Sequence, residues 1–220
     1  MESTLIFKQP LFRKKLFISK QPYLLYKTEK DGIKELHELT KTVRKEGIWI
    51  FDADESIWFN IVASYQKKEI GLSTLQKGIN INNFGCTPTH YHIHPLKAEK
   101  MLEKHCIRYT GISKNDCLLE RIVKIETALP SSADILTYVE LIKTSKQATP
   151  CFKIISQEGL TEVGLQEPFS VQDYREVRKS TKLNIYREAK LLPDNLTAIN
   201  YAFQQINSKL KNMHLEFLKL

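Results

Sequence analysis

His92 and His94 stand two residues apart in Thr87-Pro88-Thr89-His90-Tyr91-His92-Ile93-His94-Pro95. The segment alternates like a strand, and side chains at i and i+2 of a strand share a face, so two imidazoles can address one ion. A third ligand must come from elsewhere, and Asp134 in Ser131-Ser132-Ala133-Asp134 is suited to it. A carboxylate at the start of a helix can sit across from a strand end, and Zn²⁺ accepts two nitrogens and one oxygen while leaving a fourth position for water. An open position makes such a site catalytic rather than structural. Taken singly these residues are unremarkable: a His-x-His is common on surface strands, and Ser131 or Ser132 can simply cap a helix. Their joint appearance, in order, carries the inference.

His90 extends the run and could shift the ligand pair to His90 and His92, but Pro95 marks the end of the strand and favours His92 with His94. His90 then reads as a supporting or solvent-facing residue on the same strand face. His37, His105 and His214 fall in helix-compatible stretches and read as ordinary residues. Asp52 and Asp54 in Trp49-Ile50-Phe51-Asp52-Ala53-Asp54-Glu55 resemble the Asp-x-Asp opening of haloacid-dehalogenase-type phosphatases. That chemistry needs a later acidic pair for Mg²⁺, and none follows in the sequence, so a plain hairpin turn is the simpler reading. Cys86, Cys106, Cys117 and Cys151 are scattered, with neither the spacing of a Cys-rich zinc knuckle nor that of a disulfide framework.

The elements that must position these residues are legible as hydrophobic patterns. Short apolar runs between Leu5 and Tyr26 read as two or three strands. Ile33, Leu36, Leu39 and Val43 recur at helical spacing, and Glu46-Gly47 ends that helix. Residues 47–51 and 57–62 are rich in aromatic and β-branched side chains and predict a β-hairpin turning at 52–55. Residues 96–108 and 115–127 predict an inserted helical hairpin; a helix follows at about 133–145, then strands at 151–156 and 161–165. The tail from Val171 reads as helical throughout, with a break at Pro193. Its Leu196, Ile199, Phe203, Ile206, Leu210, Met213 and Phe217 are spaced three and four in turn, a seam that needs a partner, either the 171–190 helix or core of the same chain, or a second helix in a homodimer.

With 220 residues, 42% of them apolar, the chain is long enough for one ordinary domain with a helical appendage. A formal charge of +8 would suit an acidic partner such as nucleic acid, although Lys-rich chains often carry such charge without one. No stretch has the length and apolarity of a signal segment or a membrane span, so the expected setting is the cytoplasm, away from membranes.

Together, Glu46 at the end of a helix, His92-Ile93-His94-Pro95 and Ser131-Ser132-Ala133-Asp134 resemble the motif of the JAMM (MPN-domain) zinc isopeptidases: an upstream Glu, then His-x-His-Pro, then Ser-x-x-Asp. The resemblance spans roughly residues 33–165. It implies an MPN-like α/β domain over 1–167, with a mixed β-sheet flanked by helices and residues 96–130 as a helical insertion, followed by a C-terminal helical extension over 168–220. It further implies that His92, His94 and Asp134 hold zinc, that Glu46 is the general base, with Glu55 and Glu69 as the other upstream choices, and that Ser131 supports the developing oxyanion. The implied reaction is removal of ubiquitin or a ubiquitin-like protein from a lysine; an MPN-like scaffold without metal, binding through its basic surface and helical tail, is the alternative. Two departures stand out: Ile93 replaces the family's usual Ser or Thr between the histidines, and residues 96–130 separate ligands that normally follow closely.

Overall fold

Thr28 begins the first helix by a reciprocal cap: its hydroxyl accepts from the Asp31 amide at 3.2 Å and donates to the Asp31 carboxylate at 2.8 Å. The helix, α1 (Glu29–Thr42), buries Leu36 and Leu39 on one face. Gly32 permits its close approach to the sheet, since a Cβ there would fall 2.1 Å from Cε2 of Trp58. This computed structural model describes residues 23–26, 28–42, 47–53, 56–61, 89–94, 107, 112, 117–144 and 151–220.

The strands are β1 (Tyr23–Tyr26), β2 (Gly47–Asp52), β3 (Ile57–Ile61), β4 (Thr89–Ile93), β5 (Cys151–Ile155), β6 (Leu160–Leu165) and β7 (Met213–Leu218). They form one seven-stranded sheet in the order β1-β3-β2-β4-β5-β6-β7. The expected hairpin is β2–β3, with Ile48 opposite Ile61 and Asp52 opposite Ile57. The sheet is mixed because β4 and β5 run parallel, in the register His92 to Ile154, while the other pairs are antiparallel. A parallel pair needs a crossover, and helices α2 (Cys117–Ala128) and α3 (Ser132–Thr144) lie within it. Helix α2 matches the second arm of the expected inserted hairpin; of the first arm, 96–108, only Ile107 is among the described residues.

The two sheet faces bury different layers. Trp49, Phe51, Trp58, Tyr91 and Ile93 pack with Leu36 and Leu39 of α1 on one face. Ile48, Ile50, Phe152 and Ile154 meet α2, α3 and the later helices α4 (Val171–Ala189) and α5 (Asn195–Asn207) on the other. Glu126 on α2 ties that layer together, accepting from Arg178 at 2.9 Å and from the Tyr186 hydroxyl at 2.7 Å. Arg121 donates to the Ala189 carbonyl at 2.8 Å and also to that of Leu192, satisfying one acceptor at the end of α4 and one just beyond it.

The tail departs from the expected helical extension. Helices α4 and α5 break around Pro193 as anticipated, but residues 213–218 form β7 against β6, in the register Met213 to Leu165. Met213, Leu215 and Phe217 satisfy a period of two, while Met213 and Phe217 also continue the three-four spacing from Leu210, and pairing with an open sheet edge decides for the strand. Asn207 enforces the turn: its side-chain amide donates to the Leu215 carbonyl at 2.9 Å, and its side-chain oxygen accepts from the Leu215 amide at 2.8 Å. The seam residues Ile199, Phe203 and Ile206 are buried in the chain's own core, each worth roughly 1.5–3 kcal/mol. Among the described residues no helix is long and apolar enough to cross a membrane.

Candidate metal centre

Strand β4 presents His90 and His92 on the face that carries Ile48 and Ile50, as their pairing with those residues requires. Its parallel pairing continues one residue past the strand, where the His94 amide donates to the Ile155 carbonyl at 2.8 Å. His94 is thus held to the sheet although Pro95 follows it. From the other side, α3 begins with a second reciprocal cap. The Asp134 amide donates to Ser131 Oγ at 3.1 Å, and the Ser131 amide donates to Asp134 Oδ2 at 2.6 Å. Of the two serines open to the capping role, Ser131 fills it.

These two elements converge. His92 Nδ1 lies 2.6 Å from Asp134 Oδ1 and His94 Nε2 lies 3.4 Å from Asp134 Oδ2. One ligand atom from each of the three residues falls within 4.8 Å of the others, and all three side chains are buried. The imidazole rings meet edge to face, 4.9 Å between centroids. Burial alone would push the Asp134 carboxyl up, but His92 and His94 together hold it well below the usual carboxylate range. Asp134 is therefore an anion at neutral pH.

The tautomer of His94 sharpens the point. Its Nδ1 lies 2.7 Å from the Thr127 carbonyl oxygen, which can only accept, so Nδ1 carries the hydrogen. In the neutral ring Nε2 then presents a lone pair to a carboxylate oxygen 3.4 Å away. Two electron-rich atoms facing each other in a buried site call for a cation between them, either a proton on Nε2 or a metal ion. The donor set, two imidazoles and one carboxylate, fits Zn²⁺. Zinc bonds of about 2.0–2.1 Å put neighbouring tetrahedral ligand atoms roughly 3.3–3.4 Å apart, so His92 and Asp134 would need to part by under about 1 Å.

Ser131 is exposed beside this group, and its hydroxyl, while accepting from the Asp134 amide, retains a hydrogen to donate outward. Glu46 lies outside the described residues, as do Glu55 and Glu69; Gly47, which follows Glu46 in sequence, pairs with Ile93 at the His94 end of β4. Asp52 closes the opposite end of β2, beyond the Phe51 to Thr89 pair, about 17 Å along the strand from Gly47. Asp54 lies outside the described residues.

His90 is not solvent-facing as one reading of the sequence allowed. It is fully buried, and neither ring nitrogen has a hydrogen-bond partner. Burial pushes its pKa down to about 4, so the ring is neutral. Sequence reasoning missed Thr127, whose contribution is a backbone carbonyl and leaves no signal in residue type. Compared with protein-family models, curated proteins and solved structures, the chain finds no match.

Proposed function

We propose that the chain is a zinc-dependent hydrolase of amide bonds, with an isopeptide bond to ubiquitin or a ubiquitin-like protein as the substrate class that the motif implies. The observation carrying this reading is the buried convergence of His92, His94 and Asp134, with the Nε2 lone pair of His94 turned toward the Asp134 carboxylate. Zinc, when bound, lowers the pKa of a coordinated water from about 15.7 toward 7 and polarises the scissile carbonyl.

The chain's own residues divide the remaining work. His92 and His94 supply neutral nitrogen donors, and Asp134 supplies the one negative charge. Glu46 takes the proton of the attacking water and returns it to the leaving amine, which needs a carboxylate near the reacting centre. Ser131 donates its hydroxyl where charge grows on the carbonyl oxygen. No covalent intermediate is required. A panel of ubiquitin-like conjugates, assayed with zinc analysis, tests the proposal: wild-type protein cleaves at least one conjugate, and Glu46→Gln retains the metal but loses turnover. Zinc-loaded, folded protein inert toward every conjugate, or Glu46→Gln retaining full activity, would count against it.

A further inference from the structure

Three carbonyls, two in the last turn of α2 and one in the link to α3, are each held by a side chain from a different part of the chain. The Thr127 carbonyl accepts from His94 Nδ1, following β4, at 2.7 Å; that of Ala128 accepts from Thr161 Oγ1 on β6 at 2.7 Å; that of Pro130 accepts from the Tyr174 hydroxyl on α4. Carbonyls at the end of a helix lack partners within it and must find them elsewhere when buried. Burial here is severe, with Thr127, Ala128, Leu129, Thr161 and Tyr174 all at 1% exposure or less. The Thr127 side chain takes no part in the outer support, since its hydroxyl turns back to the Val123 and Lys124 carbonyls at 3.0 Å.

The stretch from Thr127 to Asp134 thereby carries both the acceptor that orients His94 and the helix start that presents Asp134. Displacing it would move one ligand's outer partner and another ligand together. We propose that Thr161 and Tyr174 are positioning residues of the metal centre, which by holding Ala128 and Pro130 keep His94 and Asp134 in register with one ion. The inference rests on reading His92, His94 and Asp134 as a zinc site. It also gives the long separation between the ligand halves a role, because the last turn of α2 carries the Thr127 carbonyl that selects the His94 tautomer.

Outer-shell partners of metal ligands commonly change metal affinity by about 10–100-fold when removed. Thr161→Val and Tyr174→Phe each delete one hydroxyl at nearly constant shape. Thr181→Val is the control, because Thr181 is also fully buried but its hydroxyl donates to the Val177 carbonyl within α4. In the full-length chain, zinc affinity is measured by chelator competition and ligand geometry by the visible spectrum of the Co²⁺-substituted protein, beside thermal stability. Because Thr161 and Tyr174 act one bond further out than the Thr127 carbonyl, the expected result is zinc binding weakened by up to about tenfold in Thr161→Val and Tyr174→Phe with an altered Co²⁺ spectrum. Thr161→Ser restores both, and Thr181→Val leaves both unchanged. Wild-type affinity and spectrum in Thr161→Val and Tyr174→Phe, or affinity that simply follows stability through Thr181→Val, overturn the inference. Should Thr161→Val fail to fold, Tyr174→Phe and Thr161→Ser decide it. Wild-type protein that binds neither zinc nor Co²⁺ removes the metal reading itself, a different failure.

Discussion

The imidazole of His94 donates from Nδ1 to the backbone carbonyl of Thr127, 33 residues away in sequence and 2.7 Å away in space. A helix C-terminus bears partial negative charge, so this carbonyl is a favourable acceptor for an imidazole N–H and fixes which nitrogen faces Asp134. Nitrogen-15 NMR of the ring should therefore find the hydrogen on Nδ1 in metal-free and zinc-loaded protein alike, with Nε2 changing its shift on zinc addition. A hydrogen on Nε2 in the zinc-loaded protein would be incompatible with the assignment.

Asp134 serves both the imidazoles and the start of α3, and two substitutions separate those duties. Asp134→Asn keeps a side-chain oxygen for the Ser131 amide but removes the charge, so it should abolish zinc binding and cost metal-free stability only what the carboxylate gains from His92 and His94. Asp134→Ala loses the cap as well and strands buried polar groups, a combined cost of about 2–3 kcal/mol. Urea denaturation in the presence of a chelator reads both. Equal losses in the two variants would mean that the cap contributes nothing.

The fate of the tail shows where sequence periodicity stops being decisive. Helix α1, the β2–β3 hairpin, β4, α3 and the β5–β6 hairpin were all legible, because each has one strong period and a local stop signal such as Gly159 or Pro130. Residues 210–217 satisfy two periods at once, and only the free edge of β6 and the Asn207 side chain choose between them. At the candidate metal centre the types of His92, His94 and Asp134 were readable, as was a serine cap. The Thr127 carbonyl and the hydroxyls of Thr161 and Tyr174 were not, since nothing local marks a threonine or tyrosine whose partner lies on another element. His90 misled for the same reason: strand alternation says which face it shares, not how deeply that face is covered.

That burial makes His90 a source of acid sensitivity. Its pKa falls from the ordinary 6.5 to about 4 on folding, so below pH 6.5 the unfolded chain binds the proton that the folded chain refuses. Stability is fully present above pH 6.5 and declines as pH drops toward 4, by roughly 3 kcal/mol for this group alone. The depressed carboxyl of Asp134 acts in the same direction at lower pH, holding stability present above about 3.8 and lost as pH falls through its folded value. His90→Leu should flatten the stability curve between pH 6.5 and 4 without lowering stability at pH 7, where the neutral ring has no hydrogen-bond partner to lose. Chemical denaturation across that range is the check, and an unchanged slope would show that His90 does not titrate as its burial implies.

Gly159 holds the β5–β6 turn against β7. Its φ of +157° is rarely adopted by other residues, and a Cβ there would come within 2.4 Å of the Leu218 carbonyl oxygen. Gly159→Ala should cost about 1–3 kcal/mol and raise hydrogen exchange at the C-terminal end of β7. Wild-type protection in that strand would show that the turn yields without disturbing the sheet edge.

Whether His92, His94 and Asp134 bind zinc is open to one direct measurement: metal content of the full-length chain after zinc loading and removal of free ion, with circular dichroism to report the fold. The account predicts about one zinc per chain in the wild type, and essentially none in folded His92→Ala, His94→Ala or Asp134→Asn protein. A wild-type chain that is folded yet retains no zinc, or variants that retain it in full, would contradict the metal centre and the hydrolase built on it.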